Sequence, residues 1–490
     1  MRRRRADRRF LPTRRLRRRW ERGGSGENPS PLAEGAVTVD TLDTAAPAGR
    51  STTSSPGRAL AVLATAQFLA VLTTSIVNVA LPQIRGGLNL SATGLSWVVN
   101  AYVLVFGALL LLGGRLGDAY GLRRVFLSGT ALFAAATLVA GLAPGAAVLI
   151  AARSVQGVGA ALLAPTALAL LLALYPAGPG RGRALGVWGS VSGAGGAAGV
   201  LLGGLLSGAY GWRAVFLVTV PAAVAVLAAG WLLLPADRPR GGRLDVAGAL
   251  TSAAGLIAVT YSLSSLSSLP EGGGVSAWAT LVAGAAMLAV FAAVQRRAAE
   301  PLVPPRLLRA GLVRAANVLM SLVGAVWIGL FFFLPLYQQR VLGYTPLEAG
   351  LTQLPLALSI IVSSWAAPRL DRRLPGRAVL AGGLAALTAG LAWLSRAPAD
   401  GTFLADLLGP SLLIGAGLGV AFVRLTALSS TGVAPADSGV AGGLVNATRQ
   451  IGGAVGLAVL TAVSGGSAYG AAFAAAAVIA ALTTLLSLVL

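Results

Sequence analysis

Residues 113–124 read GGRLGDAYGLRR and lie between two long apolar runs. Because so few polar residues separate two hydrophobic stretches, we expect them to form a tight turn at a membrane face, where glycines let two helix ends come close. The turn would carry one carboxylate, Asp118, among three arginines. This segment therefore predicts a pair of membrane-spanning helices joined by a short charged loop.

The composition of the whole chain indicates a protein that crosses the bilayer many times. Hydrophobic residues make up 56% of the 490 residues, charged residues make up 11%, and the mean hydropathy is +0.78. One soluble domain cannot bury so much apolar sequence, so a soluble globular protein is excluded. A helix of about 20 apolar residues crosses roughly 30 Å of hydrocarbon, whereas a β-barrel needs alternating segments of about ten residues, which are not seen. We predict an all-α fold with fourteen transmembrane helices, at residues 59–81, 95–114, 125–142, 146–174, 184–208, 213–235, 246–267, 276–295, 312–336, 349–367, 378–395, 403–426, 440–464 and 468–490.

The arginines predict the orientation in the membrane, since the chain contains no lysine. With an inside amino terminus, 14 arginines lie in residues 1–58, 18 in the inside loops and four in the outside loops. By the positive-inside rule, we expect a multi-pass protein of the cell membrane with both termini in the cytoplasm. Two arginines, Arg153 and Arg449, fall within predicted spans.

The first 58 residues are too charged for a secretory signal and lack its apolar stretch. We expect a disordered cytoplasmic tail, or a start codon assigned too far upstream. The alternative is a nucleic-acid arm or an anchor for anionic lipid headgroups. No folded nucleic-acid module accompanies the arginines, so we favour the first interpretation and expect no nucleic-acid partner.

The residue types that the chain lacks restrict its chemistry. It has no cysteine and no histidine, which removes the thiolate ligands, the commonest metal ligand and the commonest general base. Without lysine it cannot contain the phosphate-binding loop of ATP-driven pumps. We therefore expect neither an enzyme nor a bound metal or cofactor.

Two parts of the chain repeat each other. The motif LPQIR at residues 81–85 is echoed by LPLYQQR at 334–340, and the loop 113–124 is echoed by residues 367–377, which include Asp371. Duplicated bundles place a substrate site between the halves near the bilayer midplane. We predict a tail (1–58), a six-helix bundle (59–235), two inserted helices (236–300) and a second six-helix bundle (301–490).

Further motifs fall in order along the spans. Span one contains SIVNVALP at residues 75–82, span four contains ARSVQGVGA at 152–160, and span thirteen contains RQIGG at 449–453. Span five carries glycines at positions 195, 199, 203 and 204. With the loop 113–124, this series resembles the fourteen-span drug/proton antiporter branch of the major facilitator superfamily, over about residues 59–465. Ala119 and Val200 depart from the usual arginine and proline of that pattern.

The resemblance implies a secondary transporter that exports drugs or natural products by alternating access, in exchange for protons. Its partners would be a small amphiphilic substrate, the lipid bilayer and, in the resembled family, protons, and we expect a monomer. Other functions that remain open are a proton-independent or anion-exchange facilitator and, in another class, a non-transporting receptor or scaffold. The predicted gating residues are Gly114, Asp118, Gly121, Arg123, Arg124 and Asp371, and the predicted helix-packing residues are Gly195, Gly199, Gly203 and Gly204.

Arg153 is the sharpest site prediction. A guanidinium inside a span costs on the order of 2.5–3.5 kcal/mol, so it must face the bundle interior or water and have a partner. Gln156 lies nearly one turn away on the same face. The predicted transport cavity consists of Thr73, Thr74, Asn78, Asn100, Tyr102, Arg153, Gln156, Tyr261, Trp327, Gln353, Asn446 and Arg449.

Thr73 stands where the resembled antiporters usually have an aspartate. Every acidic residue outside the tail falls in a loop or at a span end on the predicted map. No midplane group would then titrate near neutral pH. Proton coupling through the usual span-one residue, and a preference for cations, are therefore in doubt.

Overall fold

The computed structural model describes residues 56–175, 179–237, 244–266, 274–298, 301–303, 305–433, 438–465 and 468–489, which are mostly helical and contain no strand. The all-α prediction is confirmed. The helices are α1 (Pro56–Leu88), α2 (Ala92–Tyr120), α3 (Leu122–Gly141), α4 (Ala146–Leu174), α5 (Pro179–Tyr210), α6 (Ala214–Leu217), α7 (Thr219–Leu233), α8 (Val246–Leu266), α9 (Gly274–Arg297), α10 (Pro305–Arg309), α11 (Gly311–Arg340), α12 (Pro346–Thr352), α13 (Leu354–Leu370), α14 (Gly376–Leu394), α15 (Leu408–Ser429), α16 (Ser438–Ser464) and α17 (Tyr469–Leu488).

The helices account for the predicted membrane spans. Thirteen helical segments among the described residues are long and apolar enough to cross a membrane. The remaining predicted span, 440–464, corresponds to α16, whose 27 residues are sufficient in length. Its middle contains Arg449 and Gln450, which lower its hydropathy. The predicted tail lies outside the described residues except for residues 56–58, which form the start of α1.

The predicted extent of the loop 113–124 is wrong. α2 continues to Tyr120 and α3 begins at Leu122, so Gly121 alone joins the two helices. Gly121 has a φ of 101°, a conformation that only glycine adopts without strain. Its N–H donates to the Gly117 carbonyl at 3.0 Å and closes the last turn of α2. The charged residues before Gly121 therefore lie on a helix rather than in a loop.

Two predicted spans are broken into pairs of helices. The span 349–367 consists of α12 and α13, which meet at Gln353 just before Pro355. Proline lacks a backbone N–H and has a fixed φ, so it starts a helix more readily than it continues one. The span 213–235 consists of α6 and α7. A five-residue helix, α10, was not predicted, and a π-helical turn, Phe403–Leu407, leads into α15.

The helices pack as two groups with an inserted pair. In the amino-terminal group, α1 packs on α5, while α2 and α3 both pack on α4. In the carboxy-terminal group, α11 packs on α16, while α13 and α14 both pack on α15. α8 and α9 pack on each other, and α8 contacts α2 and α16. The two groups meet where α2 packs on α16, α1 on α11 and α5 on α12.

Candidate functional site

Arg153 lies on α4 inside the amino-terminal group, with 1% of its surface exposed. Its Nε donates to the Val98 carbonyl of α2 at 2.9 Å, and one Nη donates to Gln156 Oε1 at 2.6 Å. Gln156 in turn donates to the Thr137 hydroxyl of α3 at 2.6 Å. The guanidinium also lies 4.4 Å from the ring centre of Tyr102. Carbonyl, amide and aromatic partners thus hold this positive charge inside the bundle.

Several buried polar atoms on α1 and α2 have no hydrogen-bond partner within the described residues. They are Thr73 Oγ1, Asn78 Oδ1, Trp97 Nε1 and both amide atoms of Asn100. Thr73 is 1% exposed and Asn100 is 0% exposed. An unpaired buried polar group lowers the stability of the fold by roughly 1–3 kcal/mol, so several such groups call for a structural or functional explanation. Their place in a substrate cavity remains a prediction.

Two other predicted cavity residues are tied to the backbone of α1. The Thr74 hydroxyl donates to the Ala70 carbonyl at 3.2 Å. The hydroxyl of Tyr102, which is fully buried on α2, donates to the same carbonyl at 3.3 Å. This shared acceptor connects α1 to the aromatic ring that covers Arg153.

Arg449 on α16 is the corresponding cation of the carboxy-terminal group. One Nη donates to Asn446 Oδ1 at 3.0 Å, and the guanidinium lies 5.9 Å and 5.8 Å from the ring centres of Trp327 and Phe422. Its Nε has no acceptor among the residues that the structure describes. In the part of the chain that the structure describes, neither Arg449 nor Arg153 forms an ion pair with a carboxylate.

The last two predicted cavity residues lie on elements other than α4 and α16, which carry the two arginines. Gln353 is fully buried at the junction of α12 and α13, where its Nε2 donates to Gln338 Oε1 at 3.1 Å. Tyr261 lies on the inserted helix α8, where its ring contacts Trp97 at 6.3 Å and 52% of its surface is exposed. Their place in a substrate cavity remains a prediction.

The acidic residues of the described segments all lie near helix ends. They are Asp118, Asp237, Asp245, Glu348, Asp371, Asp400 and Asp406. Asp245 precedes α8 and accepts from the Gly248 N–H at 2.7 Å. The described helices therefore hold one buried and one half-buried guanidinium, those of Arg153 and Arg449, without an ion-paired carboxylate.

The turn between α2 and α3 is fixed by a carboxylate from elsewhere in the chain. Asp237, which follows α7, accepts from the backbone N–H of Leu122 at 2.5 Å and from that of Arg123 at 3.1 Å. These N–H groups belong to the first turn of α3 and have no partner within the helix. The negative charge is also favourable at a helix amino terminus. Asp237 is thus the amino-terminal cap of α3.

The predicted gating residues of the first half lie around this turn. Asp118 is half-buried in the last turn of α2, and its role as a gating residue remains a prediction. Arg123 donates to the Trp231 carbonyl of α7, and Arg124 is exposed. A Cβ on Gly114 would meet only Pro165 Cβ, at an ordinary 3.8 Å.

The corresponding acid of the second half forms an ion pair. Asp371 Oδ2 lies 2.7 Å from Arg424 Nη1 of α15. A Cβ on Gly376 would collide with the Arg424 guanidinium, so the first turn of α14 packs directly on this pair. The sequence indicates the acid through the repeat but not its partner, which lies 53 residues away.

The glycines of α5 lie against neighbouring backbones. A Cβ would come within 2.9 Å of the Phe68 carbonyl at Gly195, within 2.9 Å of the Leu72 carbonyl at Gly199 and within 2.7 Å of the Ile76 carbonyl at Gly203, all on α1. At Gly204 it would instead run into the Pro346 carbonyl of α12, in the other group. Nearby, Gln339 Nε2 of α11 donates to the Val79 carbonyl of α1 at 2.8 Å.

Comparison with known proteins decides the family. The family model named Major Facilitator Superfamily matches residues 63–457, most of the chain. The chain belongs to the major facilitator superfamily. It is 44% identical to the cephamycin export protein CmcT of Amycolatopsis lactamdurans, over 85% of this chain and 86% of that protein. It is 42% identical to the puromycin resistance protein pur8 of Streptomyces alboniger, over 83% of this chain and 82% of that protein.

A solved structure supports the fold of this superfamily member. A peptide transporter, crystallised in complex with sulfate, superposes with a TM-score of 0.67 and covers 88% of this chain and 94% of its own. The sequence identity is 18%, which relates the folds and nothing more. The family match and the two relatives show that the protein is a multi-pass membrane transporter of small molecules and not an enzyme, as the sequence predicted.

Sequence reasoning missed four partners within this transporter. They are Thr137, Asp237, Gln338 and Arg424, each of which binds a predicted site residue or its backbone. All four contacts join separate elements or loops of the chain, so no local spacing indicates them. Only Asp237 and Arg424 left a trace, as charged residues near the ends of apolar spans.

Proposed function

We propose that this transporter exports an antibiotic-like natural product by alternating access of two bundles, residues 59–235 and 301–490, with residues 236–300 as an inserted pair. The observation that carries the proposal is the similarity to relatives named for cephamycin export and puromycin resistance, which extends over most of the chain. The excess of arginines on one side supports a cell-membrane location with both termini in the cytoplasm. We further propose that it acts as a monomer and that its tail binds no nucleic acid.

The substrate site we propose lies between the two groups, where buried polar atoms of α1 and α2 face the region of Arg153 and Arg449. Two guanidiniums without carboxylate partners make the potential of this region positive. At low dielectric, even a partly screened charge several ångströms away contributes on the order of kcal/mol. The site therefore favours neutral or anionic amphiphiles over quaternary ammonium compounds.

The gates we propose lie at opposite ends of the bundle. On the outer side, Gln339 reaches α1 and Gly204 contacts Pro346, so these contacts between the two groups must separate when the outer side opens. On the inner side, Asp118 and the turn at Gly121 form the first gate, and the Asp371–Arg424 pair occupies the repeated position. Interfaces with two discrete arrangements of this kind are what rocking bundles require.

Two transport mechanisms are candidates: exchange of drug for protons, and proton-independent or anion-exchange transport. The resembled antiporters exchange drug for protons, and the relatives support export. A proton-independent facilitator or an anion exchanger is favoured by a separate observation, since Thr73 replaces the usual aspartate and the described acids lie near helix ends. Under either candidate, span one supplies no titrating carboxylate.

A cellular assay tests the export function and its charge preference together. Antibiotic-sensitive bacteria that express the chain should accumulate less of a neutral or anionic antibiotic than cells that express Asp118→Asn at equal membrane abundance. Thr73→Asp should extend export toward quaternary ammonium compounds, whereas the uncharged, similarly shaped Thr73→Asn should not. Equal accumulation of every tested antibiotic in wild-type and Asp118→Asn cells would count against the proposal.

A further inference from the structure

A groove runs along the outer surface of the amino-terminal group, between α3 and α7. It has a volume of about 820 Å³ and is lined on α3 by Arg123, Arg124 and Leu127 and on α7 by Val224, Leu227 and Trp231. It begins at the membrane face where Gly121 joins α2 to α3. From residue 224 to residue 231, the α7 wall extends about 10 Å at the rise of an α-helix. The groove therefore descends from the membrane surface partway into one leaflet.

The two ends of the groove differ in chemistry. Its mouth holds two guanidiniums, and its floor is apolar. Trp231 is 68% exposed at the mouth, which is typical of an aromatic residue at the level of lipid headgroups. The exposed side chain of Val224 marks the deeper end, at the level of acyl chains. This order of charge, indole and aliphatic surface matches the order of groups along a phospholipid.

The arginines at the mouth have unused hydrogen-bonding capacity. Arg123 donates one Nη to the Trp231 carbonyl and lies 5.6 Å from the centre of the Trp231 ring, while its buried Nε has no acceptor among the described residues. Neither Arg123 nor Arg124 forms an ion pair with a carboxylate within the described segments. The nearby carboxylate, Asp237, accepts from the backbone of α3 instead. A phosphate group at the mouth would supply the missing negative charge and acceptor oxygens.

We propose that this groove binds one anionic phospholipid, with its phosphate on Arg123 and Arg124 and an acyl chain against Leu127, Val224 and Leu227. Basic pockets between transmembrane helices bind anionic headgroups in this way. The site lies outside the bundle and is distinct from the proposed substrate region. Because Arg123 belongs to the first turn of α3, bound lipid also stabilises the turn at Gly121.

The proposal is tested with the purified full-length chain in detergent, by native mass spectrometry and thermal unfolding. Added dioleoylphosphatidylglycerol should bind more tightly and stabilise the protein more than dioleoylphosphatidylcholine at the same concentration. Arg124→Gln should weaken phosphatidylglycerol binding about fivefold, and the double variant Arg123→Gln/Arg124→Gln about 25-fold, because each surface arginine contributes a similar increment. Arg124 is exposed, so its single variant should fold normally.

Two matched controls separate this site from general attraction to the basic chain. The double variant Arg372→Gln/Arg373→Gln removes the same charge from the repeated loop and should leave phosphatidylglycerol binding unchanged. Ala228→Phe fills the groove without changing charge and should reduce binding of the lipid, whereas Ala225→Phe, on an exposed part of α7 outside the groove, should not. The proposal would be overturned if the Arg123/Arg124 double variant and Ala228→Phe both bound phosphatidylglycerol with the affinity of the unmodified protein. It would also be overturned if the unmodified protein bound phosphatidylglycerol and phosphatidylcholine with equal affinity. Lipid binding and thermal unfolding are measured without transport, so their outcome does not depend on the export function.

Discussion

Arg153 is held by contacts that depend on the shape of its side chain. The planar guanidinium directs Nε at the Val98 carbonyl and Nη1 at Gln156, while its face covers Tyr102. A lysine ammonium is a point charge on a flexible chain and cannot direct donors along these two lines while stacking on a ring. A positive charge alone would therefore not reproduce the contacts that Arg153 makes.

We predict that Arg153→Lys impairs transport although it keeps the charge. Loss of one hydrogen bond to a charged group costs about 1.5–3 kcal/mol, which corresponds to a rate or affinity loss of about tenfold or more. Transport of a substrate should be measured in vesicles at equal protein content. The control is Arg396→Lys, an arginine in the turn that follows α14. Transport by Arg153→Lys at the wild-type rate would show that charge suffices.

Two adjacent glycines should respond in opposite ways to a single methyl group. A Cβ on Gly113 would run into the Ala161 carbonyl of α4, whereas one on Gly114 would lie 3.8 Å from Pro165. Gly113→Ala should therefore destabilise the protein by about 1–3 kcal/mol through overpacking. Gly114→Ala should be neutral or stabilise it by up to about 1 kcal/mol, since alanine favours helix. Thermal unfolding of the two purified variants checks this, and equal stability would contradict the packing of α2 on α4.

Among the helices, the α2–α3 connection shows how a distant residue completes a local structure. Gly121 supplies the backbone conformation of the turn, but the first N–H groups of α3 depend on Asp237, 115 residues away. The end of α7 is thereby attached to the start of α3. The same junction holds Arg123 at the mouth of the groove between α3 and α7.

We expect Asp237→Ala to loosen the first turn of α3. Removal of a helix cap costs about 0.5–2 kcal/mol, and here one carboxylate serves two N–H groups. Hydrogen exchange at the backbone amides of Leu122 and Arg123 should become faster, with a smaller effect toward the middle of α3. Asp400→Ala, which removes an exposed acid from another turn, is the control. Unchanged exchange at both amides would mean that Asp237 does not cap the helix.

The sequence was sufficient for the all-α fold and the number of membrane-length helices, because a span needs only a long apolar run. It misjudged where the runs end. α2 extends six residues beyond the predicted residue 114, since arginine and aspartate are compatible with a helix once it has left the hydrocarbon. It also missed the break at Gln353, although Pro355 was a visible signal.

The candidate site was predictable only in part. Buried cations such as Arg153 are conspicuous in an apolar span, and the resemblance placed Thr73 and Asp118. Their partners were not predictable, because the pairing of Gln156 with Thr137 or of Asp371 with Arg424 depends on how separate helices pack. Tyr261 lies on the inserted helix α8 with half of its surface exposed and its ring against Trp97, and its place in a cavity stays a prediction.

For the molecule as a whole, the guanidiniums of Arg153 and Arg449 have no carboxylate partner among the described residues. The amino-terminal tail adds to the positive charge of the chain, yet no cavity residue was predicted there. Deletion of residues 1–50 should therefore leave transport per folded molecule unchanged. Flux normalised to surface expression measures this. A large loss at equal expression would show that the tail takes part in transport.

We expect the transporter to move neutral or anionic amphiphiles without a span-one proton carrier. The most direct test is flux in proteoliposomes that contain only this protein, with a neutral or anionic antibiotic and an ethidium-like cation compared in the presence and absence of a pH gradient. The expected result is faster flux of the neutral or anionic compound and no strict exchange of the cation for protons. Strict exchange of the ethidium-like cation for protons would contradict it, because an acid such as Asp245, Glu348 or Asp406 would then have to reach the pathway.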